Sequence, residues 1–297
     1  MNNIEQFNQI LNLDKKNRFK LWENYRKKLT EFIIHNSTNN HSSLDALVLG
    51  VGNSDDLDLI ILRNTFKSLT LSDIDLDALH KATTKYNLTS SDANVLKIDY
   101  VGLNLNSKWN DFVKIMLKTK SKNDIDFYFN ELETTILEYR FDHSNKYYDM
   151  IIVSPIYTQL LLQQGLSYIS ILRDLNFSLE FLEHMNERLI GLMPSVIENF
   201  NKNIFQMLNK KSTLIAISDI FEAQINTDFY DSLSKNIQDN SKIESIYNQY
   251  KNTYGLGLGD YGLIHLETLL NHTQFKWFEW PFNETKSLFV KVVIYKN

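Results

Sequence analysis

Short apolar runs separated by longer stretches of helical periodicity recur along this chain. The pattern predicts seven strands, at residues 46–49, 69–72, 93–99, 147–154, 212–219, 275–280 and 287–295. Between the first five runs, apolar residues often return every three or four positions, as is typical of helices packed on a core. Strands that alternate with helices predict a parallel sheet covered on both faces. The last two runs are separated only by a turn and predict a closing antiparallel hairpin.

The residues before the first strand are predicted to form a helical extension, residues 1–40, ahead of a main domain at 41–297. Five residues recur at helical spacing and predict one buried stripe: Trp22, Tyr25, Leu29, Phe32 and Ile33. The same segment contains seven lysines and arginines between residues 15 and 28. These charges fit either a lid that steers an acidic substrate or a nucleic acid, or a solvated helix face.

Two later segments are predicted from composition. Residues 157–210 form a helical insertion between the fourth and fifth strands, which either packs on the core or covers a substrate. Residues 220–253 are polar and predict loop and helix. Four of the nine glycines fall at 255–262 and predict a flexible loop ahead of a helix at 263–270, because no lysine follows as in a phosphate loop.

Residues 45–79 contain a strand, a glycine turn, a helix and a second strand that ends in an acid. Gly50 and Gly52 allow a sharp turn and a close approach of a ligand to the backbone. Asn53 or Ser54 is expected to cap the next helix, with two aspartates in its first turn. Asp73 lies 21 residues beyond Gly52, where a carboxylate can accept both hydroxyls of a ribose.

The charge of this stretch favours one adenosine cofactor over another. A dinucleotide site normally has a third glycine beside the pyrophosphate, and here that position is Asp55, which would repel a diphosphate. S-adenosylmethionine has no phosphate and carries an ammonium and a sulfonium. The sequence therefore favours S-adenosylmethionine, with S-adenosylhomocysteine as the product.

Two segments, Leu49-Gly50-Val51-Gly52-Asn53 and Ser72-Asp73-Ile74-Asp75, resemble the first two motifs of the class I (Rossmann-like) S-adenosylmethionine-dependent methyltransferases. The resemblance covers roughly residues 40–297. It implies an α/β fold, namely a Rossmann-like seven-stranded mostly parallel sheet with an antiparallel C-terminal hairpin and helices on both faces. One departure is Val48, where many members have an acidic residue two positions before the first glycine.

The resemblance also implies cofactor contacts. Gly50 and Gly52 would line the methionine portion, Asp73 would hold the ribose, and Asp99 would contact the adenine amino group. A turn or helix-cap role is the alternative for Asp99. The full set of expected cofactor residues is Gly50, Gly52, Asn53, Asp73, Ile74, Asp99 and Ser154.

The acceptor side is less defined by the sequence. Ser154-Pro155-Ile156-Tyr157 resembles the Pro-Pro-aromatic motif of enzymes that methylate nitrogen, although Ile156 replaces the second proline and a plain turn is the alternative. Tyr157 and His265 are candidate acceptor-binding residues, and His143 and Tyr261 are further candidates. No catalytic base is assigned. No HxxxH pair is present, so no metal site is expected.

Composition restricts the setting of this chemistry. The 297 residues carry a formal net charge of -5, which does not support nucleic-acid binding. A small-molecule acceptor is expected, and a lipid headgroup, a protein or RNA are the alternatives. The chain contains no cysteine, no apolar run of membrane-spanning length and no signal-peptide pattern. A cytoplasmic protein is expected, and the sequence does not indicate an oligomeric state.

Three functions remain open at this stage. A methyltransferase needs no conspicuous catalytic motif, because it mainly holds the acceptor in line with an activated methyl group. A non-catalytic module that binds a partner or the cofactor on the same scaffold is the first alternative. An NAD-dependent oxidoreductase is the second, disfavoured by Asp55 and by the terminal hairpin.

Overall fold

All seven predicted strands belong to a single sheet. The computed structural model describes residues 4–13, 17–36, 41–104, 108–119, 121–142 and 146–297. The strands are β1 (Asp45–Leu49), β2 (Ser68–Asp73), β3 (Asn94–Lys97), β4 (Tyr148–Val153), β5 (Leu208–Gln224), β6 (Asn271–Trp280) and β7 (Lys286–Lys296). Their order across the sheet is β3-β2-β1-β4-β5-β7-β6. Strands β1 to β5 pair in parallel, and β7 is antiparallel to both β5 and β6. The predicted fold class is confirmed.

Helices connect the parallel strands and precede the first one. They are α1 (Ile4–Leu11), α2 (Arg18–Leu21), α3 (Glu23–Asn36), α4 (Leu59–Thr65), α5 (Leu76–Lys85), α6 (Lys108–Met116), α7 (Lys122–Glu138), α8 (Leu162–Asp174), α9 (Leu179–Gln206), α10 (Asp228–Asn236), α11 (Asn240–Tyr254) and α12 (Leu258–Leu269).

Alternating residues of each central strand serve two separate cores. In β1, Leu47 and Leu49 belong to the core formed with α6, α7, α8, α9 and α12. Ala46 and Val48 face the opposite core, to which α3, α4 and α5 contribute. This alternation covers both faces of the parallel strands with helices, as a parallel sheet requires.

Helix α3 shares its core with the sheet. Leu29 and Ile33 have no exposed surface and belong to the same apolar cluster as Ala46 and Val48 of β1. All five residues of the predicted stripe are buried, so that prediction is confirmed. Tyr25 stacks on Trp280 of β6, with ring centroids 5.1 Å apart.

Two predicted boundaries near the C-terminus are wrong. Strand β5 extends beyond its predicted end at residue 219 to Gln224, because its pairing with β7 continues up to the pair of Gln224 with Lys286. Helix α12 begins at Leu258, so Gly259 and Gly262 are helical instead of lying in a loop. Glycine is needed there for packing. A side chain at Gly259 would overlap Ser218, and one at Gly262 would overlap the ring of Tyr157.

Within the described ranges, no helix has the length and apolarity that crossing a membrane would require.

We expect Leu29→Ala to lower the free energy of unfolding by about 2–5 kcal/mol, because it leaves a cavity in the core shared by α3 and the sheet. Lys28→Ala is the matched control, since Lys28 is the exposed neighbouring residue on the same helix, and it should cost less than about 0.5 kcal/mol. Urea unfolding followed by circular dichroism measures both. Equal stabilities of the two variants would show that α3 is not part of this core.

A candidate cofactor and acceptor site

A cavity of about 330 Å³ lies at the carboxyl ends of β1, β2 and β4. In open α/β sheets this is the position of ligand sites, next to the point where the strand order reverses. Here the order reverses between β1 and β4. The volume lies in the range of small-molecule pockets, about 300–1,000 Å³. The loops after β1, β2, β3 and β4, residues of β5, β6 and β7, and the N-terminal helices line the cavity. Its first half is the part lined by the glycine turn, Asp73, Asp99 and α1, and its second half is the part lined by Trp22, Trp280, Phe282, Asp56 and Asp219.

The loop after β1 is longer than the sequence predicts. Gly50 and Gly52 have φ angles of +74° and +50°, which favour glycine. Helix α4 begins only at Leu59, where the Asp58 side chain caps it by accepting a hydrogen bond from the Ile61 amide. The prediction that Asn53 or Ser54 caps this helix is therefore wrong.

The physical reason lies in Ser54. Its φ angle is +50°, outside the helical region, and its hydroxyl donates to the Leu57 carbonyl within the loop. As a result Asp55 and Asp56 stand in the loop, where both line the cavity, and not in the first turn of a helix.

Two side chains from neighbouring segments hold the glycine loop. The Gly52 amide donates to Asp73 Oδ2 at 2.8 Å, and the Gly50 amide donates to the Tyr100 hydroxyl at 2.8 Å. That hydroxyl in turn donates to the Ser72 carbonyl at 3.0 Å. These bonds explain how the loop is fixed although Val48 stands where an acidic residue is common in the family that the chain resembles.

Asp73 is the last residue of β2 and lies at the bottom of the cavity, 7% exposed. Its other oxygen, Oδ1, accepts from the Asp75 amide at 3.0 Å. Burial raises the pKa of this carboxyl to about 6, while the backbone amides that donate to it act in the opposite direction. The Asp73 carboxylate is therefore a hydrogen-bond acceptor whose charged form carries a substantial desolvation cost.

Asp99 lies in the loop after β3, because that strand ends at Lys97 and not at the predicted position 99. Its carboxylate accepts hydrogen bonds from the amides of Val101, Gly102 and Asn104, at 2.8–3.1 Å. This is the turn role that the sequence left open. Asp99 also lines the cavity.

The N-terminal segment covers this half of the cavity. Ile4 is buried, and it lines the cavity together with Asn8 and Leu11. Just beyond α1, the side-chain amide of Asn12 donates a hydrogen bond to the Asp75 carboxylate at 3.0 Å. The backbone carbonyl of Asn12 accepts a hydrogen bond from the Asn53 side-chain amide at 2.6 Å. Asn12 thus connects α1 to the glycine loop and to the end of β2.

The second half of the cavity combines aromatic rings with acids. Trp22, Trp280 and Phe282 line it and contact one another, with centroids 4.6–5.8 Å apart. Of the residues that line the whole cavity in the described ranges, two are basic, Arg18 and Lys286, and six are acidic: Asp55, Asp56, Asp73, Asp99, Asp219 and Glu222.

Two of these acids have cationic partners. Asp55 forms ion pairs with Arg18 at 2.6 Å and with Lys85 at 2.7 Å. Glu222 forms one with Lys286 at 2.8 Å. These pairs balance the charge at the edge of the cavity.

Asp56 and Asp219 have no ion pair with any residue that the structure describes. Burial raises the pKa of Asp56 to about 6, and the charge of Asp55 adds to the shift. Burial raises the pKa of Asp219 to about 7, with a smaller contribution from Glu222. Burial raises the pKa of the Tyr25 hydroxyl, and the charges of Asp56 and Asp219 add to the shift, so each of the two aspartates lies within electrostatic reach of Tyr25.

Three further polar atoms on residues that line the cavity lack a hydrogen-bond partner among the described residues, and one of them is the indole nitrogen of Trp280. Ser154 is 2% exposed and its hydroxyl oxygen has no partner, and the side-chain oxygen of Asn53, which is 9% exposed, has none. Buried polar groups are nearly always satisfied, so such atoms at a cavity are typical of a ligand site.

The structure brings the predicted cofactor residues together but not the predicted acceptor residues. Gly50, Gly52, Asn53, Asp73, Ile74, Asp99 and Ser154 all line the cavity. Tyr157 does not, because its side chain is fully buried between α9 and α12, where its hydroxyl bonds Asn201 at 3.0 Å. His265 is 3.2 Å from the same asparagine. Neither Tyr157 nor His265 lines the cavity.

The two further acceptor candidates do not change this outcome. The Tyr261 hydroxyl donates to Glu198 at 2.6 Å, away from the residues that line the cavity. His143 lies outside the described residues.

Several cavity residues were not predicted from the sequence. Tyr100 directly follows the predicted third strand, and Asp219 ends the predicted fifth strand. Their positions at strand ends could have identified both as cavity residues. Trp22 and Trp280 carried no such signal, because their convergence depends on α3 packing against β6. In the ranges that the structure describes, no cluster of histidines and acids could hold a metal ion.

A scan against models of protein families gives no match, and neither does a search of curated proteins. Solved structures give distant matches. The N-methyltransferase NodS from Bradyrhizobium japonicum, in complex with S-adenosyl-L-homocysteine, is 11% identical, with a TM-score of 0.47 over 99% of this chain and 98% of that one. Magnesium protoporphyrin IX methyltransferase from Synechocystis, with bound S-adenosyl-L-homocysteine, is 6% identical, with a TM-score of 0.45 over 100% and 95%.

A third match is a SAM-dependent methyltransferase from Methanosarcina mazei, 11% identical, with a TM-score of 0.41 over 89% of this chain and 96% of that one. All three likenesses are too distant to carry an argument about activity. The strand order and the antiparallel β7 define the fold of this chain independently of them: a seven-stranded Rossmann-like sheet of the class I methyltransferase type.

Proposed function

We propose that this chain is an S-adenosylmethionine-dependent methyltransferase, with cofactor and acceptor bound in the two halves of one cavity. The observation that carries the proposal is the acidic lining of that cavity at the switch point of a Rossmann-like sheet, with Asp73 at the end of β2. Six acidic against two basic residues favour a ligand with positive charge. The cofactor carries a sulfonium and an ammonium, so its charge complements the lining.

The residues of the first half fit the cofactor by their donor and acceptor types. Asp73 accepts two backbone hydrogen bonds, but a carboxylate has about four acceptor positions, so ribose hydroxyls find acceptors there. Ile74 and Val101 supply apolar surface for an adenine ring, beside Asp99. The unpartnered oxygens of Asn53 and Ser154 suit donors of the cofactor or of the acceptor.

The loop after β1 argues against a dinucleotide. In dinucleotide sites the pyrophosphate binds at the N-terminus of the helix that follows the glycine turn. Here that N-terminus is already capped by the Asp58 side chain, and Asp55 and Asp56 stand between it and Gly52. A diphosphate would meet negative charge and no free helix terminus.

When bound, the cofactor supplies a methyl group activated by the sulfonium. The contribution of the protein is to orient the acceptor and exclude water. The glycine loop, held by Asp73 and Tyr100, positions the methionine end, and α1 covers the same half through Ile4 and Asn12. Ser154 directly follows β4 and lines the cavity.

We expect the wild-type protein to bind S-adenosylmethionine and S-adenosylhomocysteine in titration calorimetry, and Asp73→Ala to weaken both by at least about tenfold, because charge-assisted hydrogen bonds to the ribose are lost. Asp73→Asn keeps the shape of the side chain and should also bind more weakly. Asp77→Ala, an exposed aspartate four residues along on α5, should bind like wild type.

Thermal melting of each variant distinguishes loss of binding from loss of fold. If Asp73→Ala is unfolded, the affinity of Asp73→Asn shows whether Asp73 contributes to binding. A folded wild-type protein that binds neither ligand would overturn the proposal and leave a scaffold without this cofactor. Unchanged affinity in both Asp73 variants would remove Asp73 from the site.

We expect Tyr100→Phe to weaken S-adenosylhomocysteine binding by roughly 2- to 12-fold, which corresponds to one hydrogen bond of about 0.5–1.5 kcal/mol. The substitution removes the hydroxyl that accepts from Gly50 and so loosens the glycine loop. Tyr250→Phe, at an exposed tyrosine of α11 outside the cavity, is the control. Equal affinities of the two variants would show that Tyr100 does not organise the loop for binding.

A further inference from the structure

The second half of the cavity already contains two cations, and both occupy the same kind of environment. The Arg18 guanidinium lies 5.0 Å from the centroid of the Trp22 ring and pairs with Asp55. The Lys286 ammonium lies 4.9 Å from the Phe282 ring centroid and pairs with Glu222. Each positive charge therefore sits between an aromatic face and a carboxylate, an arrangement that stabilises cations by two independent interactions.

The same half of the cavity contains a third ring and two further carboxylates without such a cation. Trp280 lines the cavity beside Trp22, and Asp56 and Asp219 line it without an ion pair to any described residue. Asp219 Oδ1 is buried and has no hydrogen-bond partner in the described part of the chain. A buried carboxylate oxygen without a partner carries a desolvation cost, which a ligand cation would offset.

The backbone directs Asp219 into this half. Asp219 pairs in register with Val290 of β7, whose side chain belongs to the core on the α3 side of the sheet. A β-bulge follows between Asp219 and Phe221. Bulges often re-aim side chains next to functional sites. Asp219 therefore faces the same side as Tyr25, whose pKa its charge raises.

A second, independent observation comes from Ser154. Its side chain is 2% exposed, it lines the same cavity at the end of β4, and its hydroxyl oxygen has no partner among the described residues. A hydroxyl oxygen accepts a hydrogen bond from an ammonium group.

We propose that the methyl acceptor is an amine that is protonated in water, held by the carboxylates of Asp56 and Asp219 against the ring of Trp280, with Ser154 beside its nitrogen. This inference rests on the proposed methyltransferase function, and it names the class of acceptor. An anionic acceptor would be repelled by these carboxylates. A neutral alcohol would leave both carboxylates without a counter-charge.

Methylation of such an amine needs a proton acceptor, because a protonated nitrogen has no lone pair for attack. Asp219 takes one proton from the bound ammonium. The neutral nitrogen then forms the N–C bond to the methyl carbon as the S–C bond of the cofactor breaks. The bonding electrons stay on sulfur, which becomes the neutral thioether of S-adenosylhomocysteine, and the methylated nitrogen carries the positive charge.

The charge of Asp219 depends on the groups that surround it. These are Glu222 on the same strand, which pairs with Lys286 of β7, and Tyr25 of α3. Asp56, which has Asp55, Arg18 and Lys85 around it, also acts on Tyr25. Since burial raises the pKa of Asp219 to about 7, the group is largely protonated at pH 6 and largely ionised at pH 8. Amine binding should therefore become stronger, by roughly five- to tenfold, between pH 6 and 8 while the amine itself stays protonated.

The test is titration calorimetry with four amines: benzylamine, phenethylamine, tryptamine and putrescine. Each amine is compared with the alcohol and the carboxylate that have the same carbon skeleton. Each probe is titrated into the protein saturated with S-adenosylhomocysteine and into the free protein. We expect at least one amine to bind at least about tenfold more tightly than both of its partners. Its affinity should rise from pH 6 to pH 8.

Variants assign the effect to the two carboxylates. Asp219→Asn and Asp56→Asn should each weaken the best amine by at least about tenfold, and Asp219→Asn should change S-adenosylhomocysteine affinity by less than about twofold. Asp219→Asn should also remove most of the rise between pH 6 and 8. Asp228→Asn, an exposed aspartate at the start of α10 and outside the cavity, is the control for loss of one negative charge.

The outcomes separate this inference from the proposed function. Failure of S-adenosylhomocysteine to bind contradicts the methyltransferase proposal. In that case, the titrations into the free protein still show whether amines bind more tightly than their alcohols and carboxylates. If S-adenosylhomocysteine binds and no amine exceeds its alcohol or carboxylate, including the case in which nothing binds, the amine inference is wrong. An amine preference that survives both aspartate substitutions would also overturn it.

Discussion

The carboxylate of Asp73 connects the segments that shape the cavity. One oxygen holds the glycine loop through Gly52, and the other holds the start of the segment after β2 through Asp75. Burial makes this carboxylate costly in its charged form, which is why its pKa rises to about 6. Ribose hydroxyls that donate to it would recover part of that cost, so cofactor binding and the stability of the loop are coupled at one side chain.

The segment before the first strand completes the cavity on both sides. Its first helix covers the cofactor half through Ile4 and Asn12. Farther along, Arg18 and Trp22 reach the acceptor half, while α3 is fixed in the sheet core by Leu29. One continuous segment thus contacts both halves, and the basic character noted in the sequence contributes an ion pair to Asp55 inside the cavity.

The sheet and the residues that line the proposed cofactor half could be predicted from the sequence, because strands buried on both faces leave continuous apolar runs and their ends mark the ligand edge. The start of α4 could not, because it depends on the positive φ of Ser54 and the cap by Asp58. The acceptor half was also missed. Its members come from segments that are distant in sequence, and Tyr157, the residue expected there, instead packs against Gly262 of α12.

The central claim is that this cavity is built for a cationic adenosine cofactor and not for a dinucleotide. Paired calorimetric titrations of the wild-type protein with S-adenosylhomocysteine and with NAD⁺, under identical conditions, test it most directly. We expect S-adenosylhomocysteine to bind at least about a hundredfold more tightly, because NAD⁺ would bring its diphosphate against Asp55 and Asp56. Equal or tighter binding of NAD⁺ would contradict it.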